Sequence, residues 1–337
     1  MKRFCFAVFI LFSLLLASCE QKGYNLKSDR SIAHIDSLSI SYSEVDNKIQ
    51  QQIFDELNRI YSIRSIALEE TINQKLLEIE ASRAEVQKEY LLDSICRNKS
   101  IIFDIEKYIE VANIGSTISE FKGKLVSHDL NSEKGKELLY AGYKDFLIDQ
   151  YYDSLRNAHS IEINLKPPMP PQLHLKDIIL HSKGNLASDV NVLIVSDFDC
   201  SMCREYKWVT DSLYEKYGDY VRFDYTHFGS YVSVSQIAAE CAANQGKFWE
   251  MHEKLYESSI VPDSSMVYRF AYDLNLDMEV FNYDFSTSEI DSSILENYNK
   301  IESSGIYGTP TILIDGRPVY DSSGLKGMED EIDRLLE

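Results

Sequence analysis

The stretch Phe198-Asp199-Cys200-Ser201-Met202-Cys203 decides how this chain is read. Two cysteines separated by two residues fit on one helical turn, as a thiol pair or as its disulfide. Before them, Val190-Asn-Val-Leu-Ile-Val-Ser196 is a short apolar, β-branched run that reads as a buried strand. After them, Tyr206, Val209, Leu213 and Tyr217 recur at helical spacing. Cys200 is therefore expected at a strand-to-helix junction. There the helix N-terminus favours the thiolate, which is the reactive form, while the charge of Asp199 opposes it. A structural zinc would need a second close ligand pair, and no second C-x-x-C, C-x-x-H or H-x-x-x-H is present. The spacing points to redox chemistry.

Downstream, Gly308-Thr309-Pro310-Thr311 leads into Ile312-Leu-Ile314. A proline at the entry of a strand is compatible with a turn or a cis bond. Four pieces occur in order: Asp197-Phe198 before the C-x-x-C, then Val221-Arg-Phe-Asp-Tyr-Thr-His-Phe228, then Ala238 to His252, then Gly305-Ile-Tyr-Gly-Thr-Pro310. With them residues 184–337 resemble a DsbA-like member of the thioredoxin superfamily. The resemblance implies an α/β thioredoxin-like fold with an inserted helical subdomain, placed over residues 235–300. It also implies a cis Pro310 beside the catalytic pair, and a Thr309 backbone that holds a client segment strand-like. Cys200, Cys203, Pro310 and Thr309 are the expected catalytic residues. Ser201-Met202 departs from the Pro-His pair of strongly oxidising DsbA proteins and lacks their histidine, which implies a less oxidising couple.

The chain is long enough for two domains, and its formal charge is −20. The leader holds Lys2 and Arg3, so the remainder is more acidic still. Such a surface repels phosphate backbones, which argues against nucleic acid as a partner. Six cysteines, at 5, 19, 96, 200, 203 and 241, do not read as a disulfide framework. Cys241 falls on the apolar face of a helical pattern, as a small buried hydrophobe would. A bridge from Cys96 to Cys241 is the alternative.

Met1-Lys-Arg3 and the apolar run Phe4 to Leu16 end in Leu16-Ala17-Ser18-Cys19, which looks like the lipobox of bacterial lipoproteins. Residues 1–18 are then a signal peptide, Cys19 carries lipid, and residues 19–32 tether the protein to an extracytoplasmic membrane face of the cell envelope. Residues 33–165 read as a mostly α-helical domain. Its first part, to about residue 90, resembles the N-terminal segment of SurA-type chaperones and parvulin-type isomerases. The parvulin domain is absent, so no isomerase activity is inferred. A short extended piece ends at Ser43, a candidate N-cap. Two helical stripes follow, Val45 to Ile60 and Leu68 to Ile79, and helical spacing resumes over 101–111 and 135–158. Tyr143, Leu147, Tyr151 and Leu155 line one face there, either as core or as a groove for unfolded chains. Ile161, Ile163 and Leu165 alternate like a strand. Residues 166–172, with four prolines, form a spacer. The domain 173–337 follows, with a candidate first strand over 173–180. Asp315-Gly316 marks a hairpin, with Pro318 putting its second strand at an edge, and Leu325, Met328, Ile332 and Leu335 mark a closing helix.

His227 reads as a satisfied strand-end histidine and His252 as an ordinary helix residue. A Cys241–His252 zinc pair is weighed, though structural ligands cluster more tightly. The resemblance and the lipobox-like leader together imply an envelope-anchored thiol:disulfide oxidoreductase, with no cofactor expected. Its partners are protein clients with thiols or disulfides, a redox partner, and the membrane through its lipid. The competing description is a chaperone or assembly factor whose C-x-x-C is structural. A solvent-reachable Cys200 separates the two.

Overall fold

The computed structural model describes residues 30–100, 105–320 and 324–337, so the leader, Cys19 and most of the tether lie outside it. The chain groups into two compact units: residues 57–168 form one, and the segment up to residue 56 joins residues 169–337 in the other. The second division falls between Pro168 and Met169, inside the proline-rich run. The first differs from a helical domain starting at residue 33, because Gln51 and Asp55 bond to Thr311 and Tyr307. No helix among the described residues is long and apolar enough to cross a membrane.

The expected extended piece is a hairpin of β1 (Ser31–Ile35) and β2 (Leu38–Ser41). The N-cap is Ser41, two residues earlier than Ser43: its Oγ accepts the Glu44 N–H at 3.2 Å and opens α1 (Tyr42–Asp46). Val45 of the first stripe lies on α1, while its later part from Ile53 and the whole second stripe lie on one continuous helix, α2 (Gln50–Arg83).

Within residues 57–168, α3 (Lys88–Ser100) and α4 (Ile105–Val111) lead to a hairpin, β3 (Thr117–Phe121) and β4 (Leu125–Asp129), before α5 (Glu133–Ala158). The hairpin is the β element of a unit that is otherwise mostly α-helical, as expected. Its strands alternate exposed and half-buried residues around the turn at Gly123, the period-2 signature of a ribbon. Tyr108, Leu139, Tyr143 and Leu147 pack together, with the two tyrosine rings 5.7 Å apart. With Tyr143, Leu147 and Leu155 buried, the aromatic face of α5 is core rather than an open groove. Near the end of α5, Arg156 donates to Asn73 at 3.0 Å and pairs with Glu69 at 2.6 Å, which locks that helix to α2. Cys96 is buried in this unit and Cys241 in the other, and both are free thiols, so the structure holds no bridge between them.

The two short strands expected over 161–165 and 173–180 are coil. Leu173 is buried and held by one backbone bond, to Gly316 O at 2.8 Å, so it is pinned without a ladder. The sheet begins instead at β5 (His181–Gly184) and continues with β6 (Asn191–Ser196). Helix α6 (Ser201–Tyr217) then returns the chain to β7 (Arg222–His227), parallel to β6. Five helices fill the insertion: α7 (Val234–Ala243), α8 (Phe248–Glu257), α9 (Ser264–Asp273), α10 (Met278–Ser286) and α11 (Ser288–Ser303). The chain re-enters the sheet as β8 (Thr311–Ile314), turns into β9 (Arg317–Pro318), and closes with α12 (Gly324–Leu336).

The strand order is β5-β7-β6-β8-β9, with only the β6–β7 pair parallel. Asp315 and Gly316 both have positive φ, 48° and 72°, as a two-residue hairpin turn requires. Pro318 sits on the edge strand, where its missing N–H costs nothing. Val192 to Val195, the middle of β6, are apolar without alternation because both faces are covered. Val192 and Ile194 face a core shared with α6 to α9 and α12, while Leu193 and Val195 face Leu173, Ile301 and Ile306. The C-terminal end of β6 is therefore a rigid platform for the turn into α6.

Candidate active site

The platform delivers the C-x-x-C through a tight turn. At the end of β6 the Asp199 N–H donates to Asp197 Oδ1 at 3.1 Å, and the Cys200 N–H to Asp197 O at 3.3 Å. Phe198, fully buried, plugs the turn into the core against Tyr225 and Tyr256. Cys200 thereby becomes the N-cap of α6, and its sulfur accepts the Cys203 N–H at 3.4 Å. A sulfur takes the place of the usual cap oxygen, at the positive end of the helix dipole. The carboxylate of Asp199 turns toward α7, where it accepts the Ser235 hydroxyl at 2.9 Å.

The two cysteines have different surroundings. Cys200 is partly exposed, whereas Cys203 is 4% exposed. Burial pushes the Cys203 thiol up to about 11, although hydrogen bonds from the Ser196 and Thr309 side chains and the Asp197 backbone work against it. Burial also raises the Asp197 carboxyl, partly offset by the Asp199 N–H. Behind Cys203 lies a cavity of about 20 Å³, lined among others by Lys183, Ser196, His252, Tyr256 and Pro310. Thr309–Pro310 is a cis peptide, and the Cys200 thiol donates to the Thr309 carbonyl at 3.8 Å. The structure thus brings Cys200, Cys203, Thr309 and Pro310 into one site.

Several residues here carried no sequence signal. Arg204, directly after Cys203, donates to the carbonyls of Phe198 and Leu255 at 3.0 and 3.1 Å, and also to Ser258 O. It stitches the first turn of α6 to the end of α8, where a cation suits the helix dipole. Ser196 shares a 2.8 Å hydrogen bond with Tyr256 beneath the sulfur of Cys203. Lys183 lies over the rings of Tyr214 and Trp249, at 3.9 and 4.2 Å, and burial lowers its pKa. His252 is more than an ordinary helix residue. It packs beside Phe198, Tyr225 and Tyr256, and burial pulls it down to about 4.

Among the described residues, His181, His227 and Glu240 form the one cluster of potential metal ligands, and Cys241 and His252 are not in it. Both imidazole Nε2 atoms meet the same carboxylate oxygen, Glu240 Oε1, at 2.7 and 2.6 Å. Ligating histidines ordinarily donate their other ring N–H, yet His227 Nδ1 is buried without a partner. These are hydrogen-bond distances in a shared-oxygen cluster. Burial pushes Glu240 up, but the two histidines outweigh it and pull the carboxyl down to about 2.

A parallel β6–α6–β7 unit, a dithiol on the helix cap and a facing cis-proline loop define a thioredoxin-like fold. Residues 179–334 match the family model described as Thioredoxin. That match lies wholly in the C-terminal half and spans both the C-x-x-C and the Thr309–Pro310 loop. Among solved structures, the chain is similar to a thioredoxin-like oxidoreductase from Silicibacter pomeroyi DSS-3. That match has 25% identity and a TM-score of 0.41, covering 46% of this chain and 91% of that one. It is also similar to oxidised BdbD from Bacillus subtilis, with 17% identity and a TM-score of 0.43, covering 50% and 97%.

Among curated proteins, it is 25% identical over 160 residues to the Na(+)/H(+) antiporter NhaA of Herminiimonas arsenicoxydans, covering 47% of this chain and 25% of that one. It is 29% identical over 142 residues to Na(+)/H(+) antiporter NhaA 3 of Salinispora tropica, covering 41% and 22%. The chain spans about a quarter of the length of these curated relatives.

Proposed function

We propose that the protein exchanges disulfides with protein clients through Cys200 and Cys203. The observation that carries this reading is the partly exposed Cys200 sulfur, capping α6 and touching the carbonyl of the cis Thr309–Pro310 peptide. A purely structural C-x-x-C would have no need to present one sulfur to solvent.

In the reducing direction the Cys200 thiolate attacks one sulfur of a client disulfide, and the client S–S bond breaks to release one thiolate. Cys203 then gives up its proton and attacks Cys200 Sγ. The mixed disulfide breaks, the second client sulfur leaves as thiolate, and the Cys200–Cys203 disulfide forms. The client gains two electrons and the dithiol loses two. A dithiol redox partner restores the pair. In the oxidising direction the same steps run backward and a disulfide partner is the acceptor. Deprotonation of Cys203 is the demanding step. Ser196, Thr309 and the Asp197 N–H are placed to stabilise the thiolate as it forms. Ser201-Met202 supplies no cation, which favours a couple less oxidising than that of DsbA proteins.

Cys200→Ser should abolish exchange. Cys203→Ser should keep the nucleophile and accumulate mixed disulfides with clients, seen as thiol-sensitive bands in non-reducing gels. Trapping by neither variant, with activity intact in Cys200→Ser, would remove this assignment. The reading also places the domain at the cell envelope on a lipidated Cys19, supported by Leu16-Ala17-Ser18-Cys19 after an apolar run. Metabolic labelling with a fatty acid should mark the wild type and miss Cys19→Ala. Equal labelling of both would sink the anchor.

A further inference from the structure

We propose that Gln51, at the start of α2, is a positioning residue for the dithiol. It braces the cis-proline loop through Thr311 and so sets how that loop meets both sulfurs. The inference rests on the exchange activity proposed above and adds a control point supplied by the N-terminal segment.

Gln51 lies in the segment that groups with residues 169–337 and is 8% exposed. Its Nε2 donates to Thr311 Oγ1 at 2.8 Å, across 260 positions of sequence. Thr311, 4% exposed, is the first residue of β8 and follows Pro310 directly. Its own hydroxyl proton goes to the Gly308 carbonyl at 2.8 Å. A hydroxyl has one proton to give and two lone pairs. With the proton committed to Gly308, the approach from Gln51 calls for a donor, and the amide nitrogen supplies it. The relay Gln51 to Thr311 to Gly308 therefore clasps both ends of the loop that carries Thr309 and Pro310.

Thr309 is the residue in contact with both sulfurs. Its carbonyl receives the Cys200 thiol at 3.8 Å, and its side chain hydrogen-bonds to Cys203. Two further contacts keep the segment against this loop. Tyr307 donates its hydroxyl to Asp55 Oδ2 at 2.8 Å. Gly305, at φ 94°, lies so close that a Cβ there would stand 3.0 Å from both Asn47 O and Gln50 N. Packing alone does not account for a glutamine at position 51. Its Oε1 is buried without a hydrogen-bond partner, a penalty that leucine of similar size would avoid. What the amide contributes is the donated N–H.

Without the brace, the loop loosens and Thr309 withdraws its hydroxyl from Cys203. The reduced pair loses a stabilising donor, so the equilibrium moves toward the disulfide and the couple becomes less oxidising. The test is equilibration of the full chain with glutathione buffers. Gln51→Leu should shift the constant roughly two- to tenfold toward the disulfide, the size of one weakened hydrogen bond. Its near-ultraviolet circular dichroism should stay native.

Thr311→Val should give the same shift, Thr311→Ser should give none, and the Gln51→Leu/Thr311→Val double variant should move no further than either single. A merely structural glutamine would lower Tm and leave the constant where it was. A folded Gln51→Leu with the wild-type constant, or additive effects in the double variant, would overturn the proposal. Should Gln51→Leu not fold, Gln51→Asn keeps the amide but retracts it by one methylene, and the same outcomes decide. A wild type without a measurable couple would instead strike at the oxidoreductase reading itself.

Discussion

Cys200 and Cys203 are one helical turn apart, yet they sit in two different solvents. The Cys200 side is open: the sulfur caps α6, meets the Thr309 carbonyl, and has exposed Met202 and Tyr231 in its neighbourhood. The Cys203 side is closed by β6, the buried ring of Tyr225, the half-buried ring of Tyr256, and a small cavity that also touches Lys183 and His252. Identical side chains therefore acquire different roles from their surroundings, burial first among them. One is placed to be attacked or to attack, and the other is held as a protonated reserve. The fold achieves this by ending a fully buried strand one turn before the helix begins.

The most direct way to break that contrast is to measure reactivity. With its thiol pushed up to about 11, Cys203 is thiolate at only about one part in ten thousand at pH 7. Cys241, pushed by burial to about 12, is more inert still. Iodoacetamide applied to the reduced native protein at pH 7 should therefore label Cys200 first, at least a hundredfold faster than Cys203 or Cys241. Peptide mapping against time gives the ratio. Comparable rates at Cys200 and Cys203 would show that the closed side is not closed in solution.

The open side was legible in the sequence, because its parts are contiguous. The apolar run into Ser196, the C-x-x-C and the helical stripe Tyr206, Val209, Leu213, Tyr217 describe β6, the cap and α6 without any long-range information. The roles expected of Pro310 and Thr309 came from the family resemblance, because the local residues alone read only as a turn or a cis bond before a strand. The closed side was not legible, because it is assembled from pieces with no pattern of their own. Ser196 is one serine at a strand end, Arg204 one charge on a helix, and Gln51 a polar residue whose partner lies 260 positions away.

Periodicity also misled where it was short. Ile161, Ile163 and Leu165 alternate but have no neighbouring strand to complete a ladder. Thr117 to Asp129 alternates around Gly123 and is a true ribbon, because the two halves can pair with each other. His252 showed only helical spacing; its burial depends on Phe198 and Tyr225 from two other segments, together with Tyr256 of its own helix.

A second, smaller effect sharpens the contrast through His252. Burial lowers it to about 4 against an ordinary value of 6.5, with Glu253 pulling the other way and Lys183 and Lys207 adding to the depression. Between these two values the unfolded chain binds a proton that the native state refuses. Stability therefore rises with pH across this window: the contribution is complete above about pH 6.5 and is lost as pH falls toward 4. The loss amounts to about 3 kcal/mol at the lower end. Glu240 acts in a lower window. Its carboxyl is depressed from 4.5 to about 2, so its contribution is present above the first value and lost on approach to the second. His252→Phe should flatten the denaturation midpoint between pH 6.5 and 4 and leave the steeper fall below pH 4. An unchanged slope would mean that His252 is hydrated and that the cavity side admits water freely.

The smallest effect expected is at Ser196, where the closed side meets the chemistry. Its hydroxyl hydrogen-bonds to the Cys203 sulfur and lies 2.8 Å from the Tyr256 hydroxyl, which can donate to it. Ser196→Ala removes one of the groups that offset burial, so the Cys203 thiol should rise by about one further unit, worth roughly 1.4 kcal/mol. A thiol harder to ionise resolves the mixed disulfide more slowly. A more basic thiolate is also a better nucleophile, and that recovers part of the loss. The net slowing should be about threefold in the second step of exchange, with the first step at Cys200 untouched. Stopped-flow measurement with a fluorogenic peptide disulfide separates the two phases. If the first phase slows as well, Ser196 serves the whole turn rather than one sulfur. If neither changes, the thiolate of Cys203 is sustained by Thr309 and the Asp197 N–H alone.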